Sequence, residues 1–277
     1  MRSCTELQEP VKRSALRIKC GIVYYSFLRR VIWLTKRAKF ASRYGEPLPY
    51  SHFCHETILL RKLKDLDMQY QYNKITNLKI AASKLNGIIL RPGEVFSFWK
   101  LIGKPTRSKG YSEGMELYGG KVKPGVGGGL CQMSNLIYWM TLHTPLRVIE
   151  RHRHGYDVFP DSNRTQPFGS GATCFYPYID LMIKNETNED FQLLINVGEE
   201  FLEGEWRSTT PPALRYEIIE KNHIMRAEYW GGFSRCNEIY RRTFNLEGQM
   251  IDEELVTANA ALMMYSPFLS ESAESAT

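Results

Sequence analysis

The sequence predicts an α+β fold in which one central buried helix packs on an antiparallel sheet. Residues 130–142 are apolar on nearly all sides, which is typical of a helix inside a core. Short strand-like runs separated by turn residues follow over residues 173–248, as in an antiparallel meander. Residues 74–86 carry apolar side chains at helical spacing. The chain therefore combines helices with a mainly antiparallel sheet.

The elements before the buried helix follow from local patterns. We predict a helix over 55–70 and a second over 74–86 that ends at Gly87. The Pro92-Gly93 turn then precedes a strand that begins near Val95. Residues 103–129 are rich in Gly, Lys and Pro, so we expect loops around a short hairpin. Pro145 ends the buried helix, and a strand over 146–150 follows.

Length and charge suggest how the chain is divided. Its 277 residues permit one large domain or two small ones. We predict a basic lead-in over 1–50, a main domain over 51–220, a strand-rich extension over 221–265 and a polar tail over 266–277. The net charge is +6, from 36 basic and 30 acidic residues. Eleven of the basic residues precede residue 45, so this excess belongs to the lead-in.

The lead-in leaves several interpretations open. Residues 21–34 are apolar but interrupted by Arg29 and Arg30, short of the roughly 20 clean apolar residues of a spanning helix. They fit a helix lying at an anionic membrane surface, a helix packed on the domain, or part of a solvated basic tail. No secretory signal follows Met1, so we expect a cytoplasmic location, with peripheral membrane contact as the alternative. No nucleic-acid motif is present, and no nucleic-acid partner is expected.

The six cysteines are widely and irregularly spaced, without a CxxC pair. Structural zinc sites need closely spaced ligands, so we expect no metal and no cofactor. Scattered cysteines in a chain of this length fit a reducing compartment.

Cys131 stands directly after a Gly-Gly-Gly-Leu turn, where the buried helix is predicted to start. Free backbone N–H groups and the helix dipole favour a thiolate at such a position, and the same donors form an oxyanion hole. Free cysteine is also among the most buried residue types and often only packs. The residues alone leave both interpretations open, a packed core cysteine and a nucleophile.

A nucleophilic cysteine needs a base, and the following strand carries His152 and His154 on one face. Gln132, next to the cysteine, is placed to orient an oxyanion or a substrate. We assign Gly128, Gly129, Ser134 and His152 to the same oxyanion or substrate side of the site. The candidates that could orient the histidine are Asp157, Asp161, Asn163 and Asp180.

Four segments together resemble the VanW family. They are "LRPGEVFSFW" (90–99), "GGKVKPGVGGGLCQMSNLIYW" (119–139), "RVIERHRH" (147–154) and "PYIDLMIKNET" (177–187). The resemblance spans about residues 70–200 and gives the predicted 51–220 domain its name, a VanW-like domain. It implies a bacterial, cell-wall-related role associated with glycopeptide (vancomycin) resistance.

Some relatives with this domain are associated with L,D-transpeptidation of peptidoglycan through a cysteine. The resemblance places that cysteine at Cys131 and the family's histidine at His154, which is therefore preferred to His152 as base. The implied partner is a peptidoglycan stem peptide or its precursor. The helix-start cysteine followed by a strand histidine also looks like the layout of papain- and transglutaminase-like enzymes. A non-catalytic accessory or binding module of the cell envelope is the alternative.

One position departs from the family pattern. The family often has Asp where this chain has Gly171, in "GSGAT". If that Asp orients the histidine, this chain lacks it, or Asp180 takes its place. We therefore include Asp180 with Cys131 and His154 as the predicted catalytic residues.

Overall fold

The computed structural model describes residues 13–35, 38–60, 68–118, 120–158 and 166–265. It confirms the mixed α+β class. The helices are α1 (Ala15–Leu34), α2 (Met68–Leu85), α3 (Phe98–Ile102) and α4 (Cys131–Leu142), with a short 3-10 helix at Arg107–Lys109. None of the helices in the described ranges is long and apolar enough to cross a membrane.

Fifteen strands occur in the described ranges. They are β1 (Lys39–Phe40), β2 (Arg43–Tyr44), β3 (Tyr50–Ile58), β4 (Ile88–Leu90), β5 (Glu94–Ser97), β6 (Glu113–Tyr118), β7 (Lys121–Val126), β8 (Arg147–Glu150), β9 (Tyr156–Asp157), β10 (Met182–Lys184), β11 (Phe191–Val197), β12 (Phe201–Ser208), β13 (Arg215–Ala227), β14 (Phe233–Phe244) and β15 (Met250–Met263).

The strands form four sheets. Their orders are β1-β5-β10-β8, β2-β4-β11-β12-β3, β13-β14-β15-β9 and the β6-β7 hairpin. Most neighbours are antiparallel, and the β1-β5 and β15-β9 pairs are parallel. The predicted antiparallel character and the hairpin within 103–129 are therefore confirmed.

The core lies around α4. This helix packs against β12 and β3 on one side and against β8 on another. Trp206 of β12 is fully buried, and its indole Nε1 donates to Thr141 Oγ1 of α4 at 3.1 Å. The helix predicted over 130–142 is confirmed, because its apolar side chains are covered almost all round.

The helix predicted over 55–70 is wrong at its start, because residues 50–58 are β3. Residues 61–67 lie outside the described ranges, and α2 begins at Met68. β3 pairs along its length with β12, for example His55 with Gly204. Pairing with a strand about 150 residues away outweighs local helix propensity. The helix over 74–86 is confirmed as part of α2, and Gly87 has the left-handed φ of +83°.

The C-terminal sheet is built on long strands. β13, β14 and β15 form a meander that β9 extends at one edge. The boundary predicted at 220/221 falls within β13. The predicted polar tail over 266–277 lies outside the described residues.

Candidate active site

The glycine turn before α4 is shaped by a close crossing of two backbone segments. A Cβ on Gly128 would lie inside contact distance of the Gly114 carbonyl and 2.7 Å from Met115 N. Asn77 of α2 holds the crossing together: its Nδ2 donates to Gly128 O at 2.9 Å, and its Oδ1 accepts from Ser112 N at 2.9 Å. These contacts therefore hold the backbone of the turn in place just ahead of the first residue of α4.

Cys131 is the first residue of α4 and is partly buried. Its Sγ lies 3.7 Å from Cys174 Sγ and 3.7 Å from Thr173 Oγ1. The Cys174 carbonyl oxygen is 3.6 Å away. Both cysteines are free thiols. The segment 173–174 thus lies directly against the start of the helix.

The surroundings of Cys131 favour its thiolate. The hydrogen bond from the Cys174 thiol holds the pKa of Cys131 well below its usual range, against the opposing effect of burial. His154 lowers the pKa further through a hydrogen bond and its positive charge. Burial raises the pKa of Cys174 well above its usual range, and the contact with Cys131 adds to the rise. Cys174 therefore stays protonated and donates to the Cys131 thiolate.

His154 is linked to Cys131 through Thr173. Thr173 stands between the two groups, with Oγ1 3.0 Å from His154 Nε2. No carboxylate among the described residues bonds to His154. The hydroxyl of Thr173 is therefore the side chain that orients the imidazole in this structure.

His152 does not share the position of His154. β8 ends at Glu150, and His152 forms an isolated bridge with Thr173. Its Nε2 lies 2.9 Å from Glu150 Oε1. Burial alone would raise the pKa of Glu150, but the hydrogen bonds from His152 and Arg29 hold it below its usual value. The shared strand face predicted for the two histidines is absent because the strand stops before them.

Two of the predicted oxyanion donors are already occupied. The N–H of Gly128 donates to Gly125 O at 3.0 Å, and the N–H of Gln132 donates to Gly129 O at 3.1 Å. The N–H groups of Gly129, Leu130 and Cys131 have no acceptor among the described residues. These three N–H groups are the backbone donors left at the helix start, where a developing oxyanion could bind.

Two predicted polar side chains are held by neighbouring segments. Gln132 Nε2 donates to Thr57 Oγ1 at 3.0 Å and to Ile58 O at 2.9 Å. Ser134 is fully buried, and its hydroxyl lies 2.6 Å from Ala172 O. Both side chains therefore attach α4 to its surroundings.

Asp180 lies in the interior with its oxygens occupied. Its Oδ2 accepts from Ser97 Oγ at 2.5 Å, and its Oδ1 accepts from the N–H groups of Trp99 at 3.0 Å and Leu181 at 2.9 Å. No contact with His154 is present among these bonds. Asp180 therefore anchors the turn between β5 and α3, in place of the orienting role considered for it from the sequence.

Substituting Asp180 with Asn should change how stability depends on pH. Burial raises the pKa of Asp180 to about 6, while the Ser97 hydroxyl and Trp99 N–H lower it. A carboxyl with a raised folded-state pKa binds its proton more tightly in the folded chain, so this contribution to stability is lost as pH rises from about 4 to about 6. The loss is at most about 3 kcal/mol.

The measurement is urea unfolding at pH 4 and pH 7 for the unmodified chain and for Asp180→Asn. The Asn side chain offers one acceptor for Trp99 and Leu181 and a donor for Ser97, and it does not titrate. The stability of the Asp180→Asn variant should therefore fall less between pH 4 and pH 7. Parallel pH profiles for the two chains would contradict the assignment.

Gly171 occupies the position where the family often has Asp. A Cβ on it would lie 2.7 Å from Asn135 Oδ1, and the same oxygen accepts from Ala172 N at 2.7 Å. Arg151 Nε donates to Gly171 O at 2.9 Å. Asn135 and Arg151 thus fix this loop without a carboxylate.

Three groups near Cys131 were not predicted from the sequence: Thr173, Cys174 and Glu116. Thr173 lies in the "GSGAT" segment, and the departure of that segment from the family pattern was the sequence feature that could have indicated it. Burial raises the pKa of Glu116, Lys123 lowers it, and the charge of Cys131 raises it, so this hairpin carboxyl lies near the thiolate. Neither Cys174 nor Glu116 follows from spacing, because each comes from a separate segment.

Of the remaining candidates, only Asp157 lies in the described ranges. Asp157 accepts from Tyr265 Oη at 2.9 Å and lies 3.5 Å from Arg235 Nη1. Asp161 and Asn163 lie outside the described residues. Within the described ranges, no group of three or more His, Cys, Asp or Glu side chains could hold a metal ion.

Fold and site together define an α+β protein with a free thiol at the start of a buried helix, linked through Thr173 to an imidazole. Residues 73–207 match the family described as VanW like protein. Over 228 residues the chain is 35% identical to the vancomycin B-type resistance protein VanW of Enterococcus faecalis, covering 82% of each chain. The chain therefore belongs to the VanW family.

A second relative is the uncharacterized protein YoaR of Bacillus subtilis. It is 29% identical over 113 residues, which cover 41% of this chain and 36% of that protein. No solved structure matches the chain. The papain- or transglutaminase-like layout stays a prediction.

Proposed function

We propose that this chain is a cysteine-dependent acyl transferase, L,D-transpeptidase-like, acting on peptidoglycan stem peptides or their precursors in a setting of glycopeptide resistance. Similarity to the Enterococcus resistance protein supports the link with glycopeptide resistance. One structural observation supports the chemistry: Cys131 Sγ lies 3.7 Å from the Cys174 thiol and 3.7 Å from Thr173 Oγ1, which is 3.0 Å from His154 Nε2. Cys174 and His154 both lower the pKa of Cys131.

The first half of the reaction forms an acyl-enzyme. The Cys131 thiolate attacks a peptide carbonyl, and the N–H groups of Gly129 and Cys131 stabilise the oxyanion. As the tetrahedral intermediate collapses, the C–N bond breaks. Protonated His154 gives its proton to the leaving amine. A thioester on Cys131 remains, and His154 is neutral.

The second half releases the thioester. Neutral His154 takes a proton from an incoming amine as this amine attacks the thioester carbonyl. The C–S bond breaks, the new amide leaves, and Cys131 returns to the thiolate while His154 is protonated. Transfer to an amine produces a cross-link, and transfer to water produces hydrolysis.

The test is intact-protein mass spectrometry after incubation with muropeptides released from purified peptidoglycan. We expect an added acyl mass that maps to Cys131 and is absent in Cys131→Ala. Cys54→Ala is the matched control, because Cys54 is an exposed free thiol on β3. An adduct that persists in Cys131→Ala would contradict the proposal.

A non-catalytic accessory or binding module is the second candidate. It is favoured by one observation, the lack of a carboxylate bonded to His154 among the described residues. Equal muropeptide binding by the unmodified chain and by Cys131→Ala, with no adduct in either, would establish this alternative over the enzyme.

A further inference from the structure

Helix α1 is attached to the domain through polar groups. Arg29 is only 6% exposed, and its guanidinium pairs with Glu150 and donates to Tyr178 O at 3.0 Å. One turn later, Trp33 Nε1 donates to Ser97 Oγ at 3.2 Å. These contacts hold α1 along the surface of the domain.

Ten large apolar side chains of α1 are exposed, and five of them lie on the side opposite Arg29. At about 100° per residue, these five side chains fall within an arc of about 80°. We define them as the apolar stripe: Leu16 (73% exposed), Val23 (69%), Phe27 (63%), Val31 (37%) and Leu34 (83%). A helix on a globular domain usually turns such a stripe towards the core. Here the core-facing side carries a buried arginine, and the stripe faces outward.

Basic side chains border the apolar stripe on both sides. Arg17 lies at one edge, and Lys19 and Arg30 lie at the other, by the same helical angle. No Asp or Glu occurs between residues 10 and 45. Lys and Arg place their charges at headgroup level while their stems cover apolar surface. An outward stripe with cationic borders complements an anionic lipid surface.

A second copy of the chain fits this face less well. A symmetric contact through α1 would bring the same cations of two helices together. The helix has no acidic side chain to pair with them. Phosphate headgroups neutralise these cations, and acyl chains cover the stripe.

We infer that α1 binds the surface of an anionic bilayer, with the apolar stripe inserted and the helix parallel to the membrane plane. Glu150, which holds α1 through Arg29, also bonds His152 of the following segment. Tyr178, which accepts from Arg29, follows shortly after Cys174 in the chain. The inference does not depend on the proposed acyl transfer.

The experiment is vesicle flotation of the full chain. Vesicles of phosphatidylglycerol and phosphatidylethanolamine should carry the protein, and phosphatidylcholine vesicles should carry at least tenfold less. The double variant Val23→Ser/Phe27→Ser should weaken binding tenfold or more. Arg17→Gln/Lys19→Gln should weaken it similarly and reduce its salt dependence. Tyr229→Ser is the control and should bind normally, because Tyr229 is 89% exposed outside α1.

Circular dichroism of each variant checks folding, which outward side chains should not disturb. Absence of flotation, or equal flotation of the Val23→Ser/Phe27→Ser variant, would overturn the inference. A third result would also overturn it: the unmodified chain binds neither vesicle type but forms a dimer, and the Val23→Ser/Phe27→Ser variant does not form that dimer.

Discussion

Replacing Cys131 with alanine is expected to lower the rate of acyl transfer to muropeptides by about 10⁴-fold or more, the scale on which loss of a nucleophile acts. Cys174 is not expected to take over the attack, because it is buried and its pKa is raised. His154→Gln should cost about 10²–10⁴-fold, as expected for loss of a general acid and base. The measurement is the rate of cross-linked product formation by liquid chromatography.

Two further variants separate chemistry from structure. Cys54→Ala should retain full activity, since that exposed thiol lies on β3. Cys174→Ala removes the S–H donor to Cys131, so its pH–rate profile should move to higher pH. Unchanged cross-linking in Cys131→Ala would refute the nucleophile assignment.

Gly128→Ala is expected to destabilise the chain by about 3–5 kcal/mol. Its Cβ would meet the Gly114 carbonyl, which is backbone and cannot rotate away. Asn77 is fully buried and bonds to Gly128 O and Ser112, so the two segments cannot separate without losing those bonds. Urea unfolding followed by circular dichroism measures the loss.

Gly21→Ala is the matched control for the same change. Gly21 lies within α1, and a Cβ there would have no atom within 4 Å. Alanine favours a helix over glycine by about 1 kcal/mol, so this variant should equal or exceed the unmodified chain in stability. Equal unfolding midpoints for the two alanine variants would show that the crossing does not require glycine.

Local sequence patterns were sufficient for several elements. The segment 130–142 is apolar all round, so it forms a buried helix whatever its partner. Gly87 ends α2, and residues 103–129 contain a hairpin. Both could be predicted because the conformation of a turn depends on a few neighbouring residues. The first residues of the helix predicted over 55–70 are a strand, since the partner β12 lies far along the chain.

The sequence alone determined that a cysteine starts a buried helix after a glycine turn, and that a histidine follows on the next segment. Family resemblance selected His154. Only the tertiary structure decided the neighbours of the thiol: Cys174 and Thr173 come from a separate segment, and Asp180 turns towards Ser97. The physical reason is distance along the chain. A pKa depends on groups within a few ångströms, and packing brings those groups together independently of their spacing in sequence.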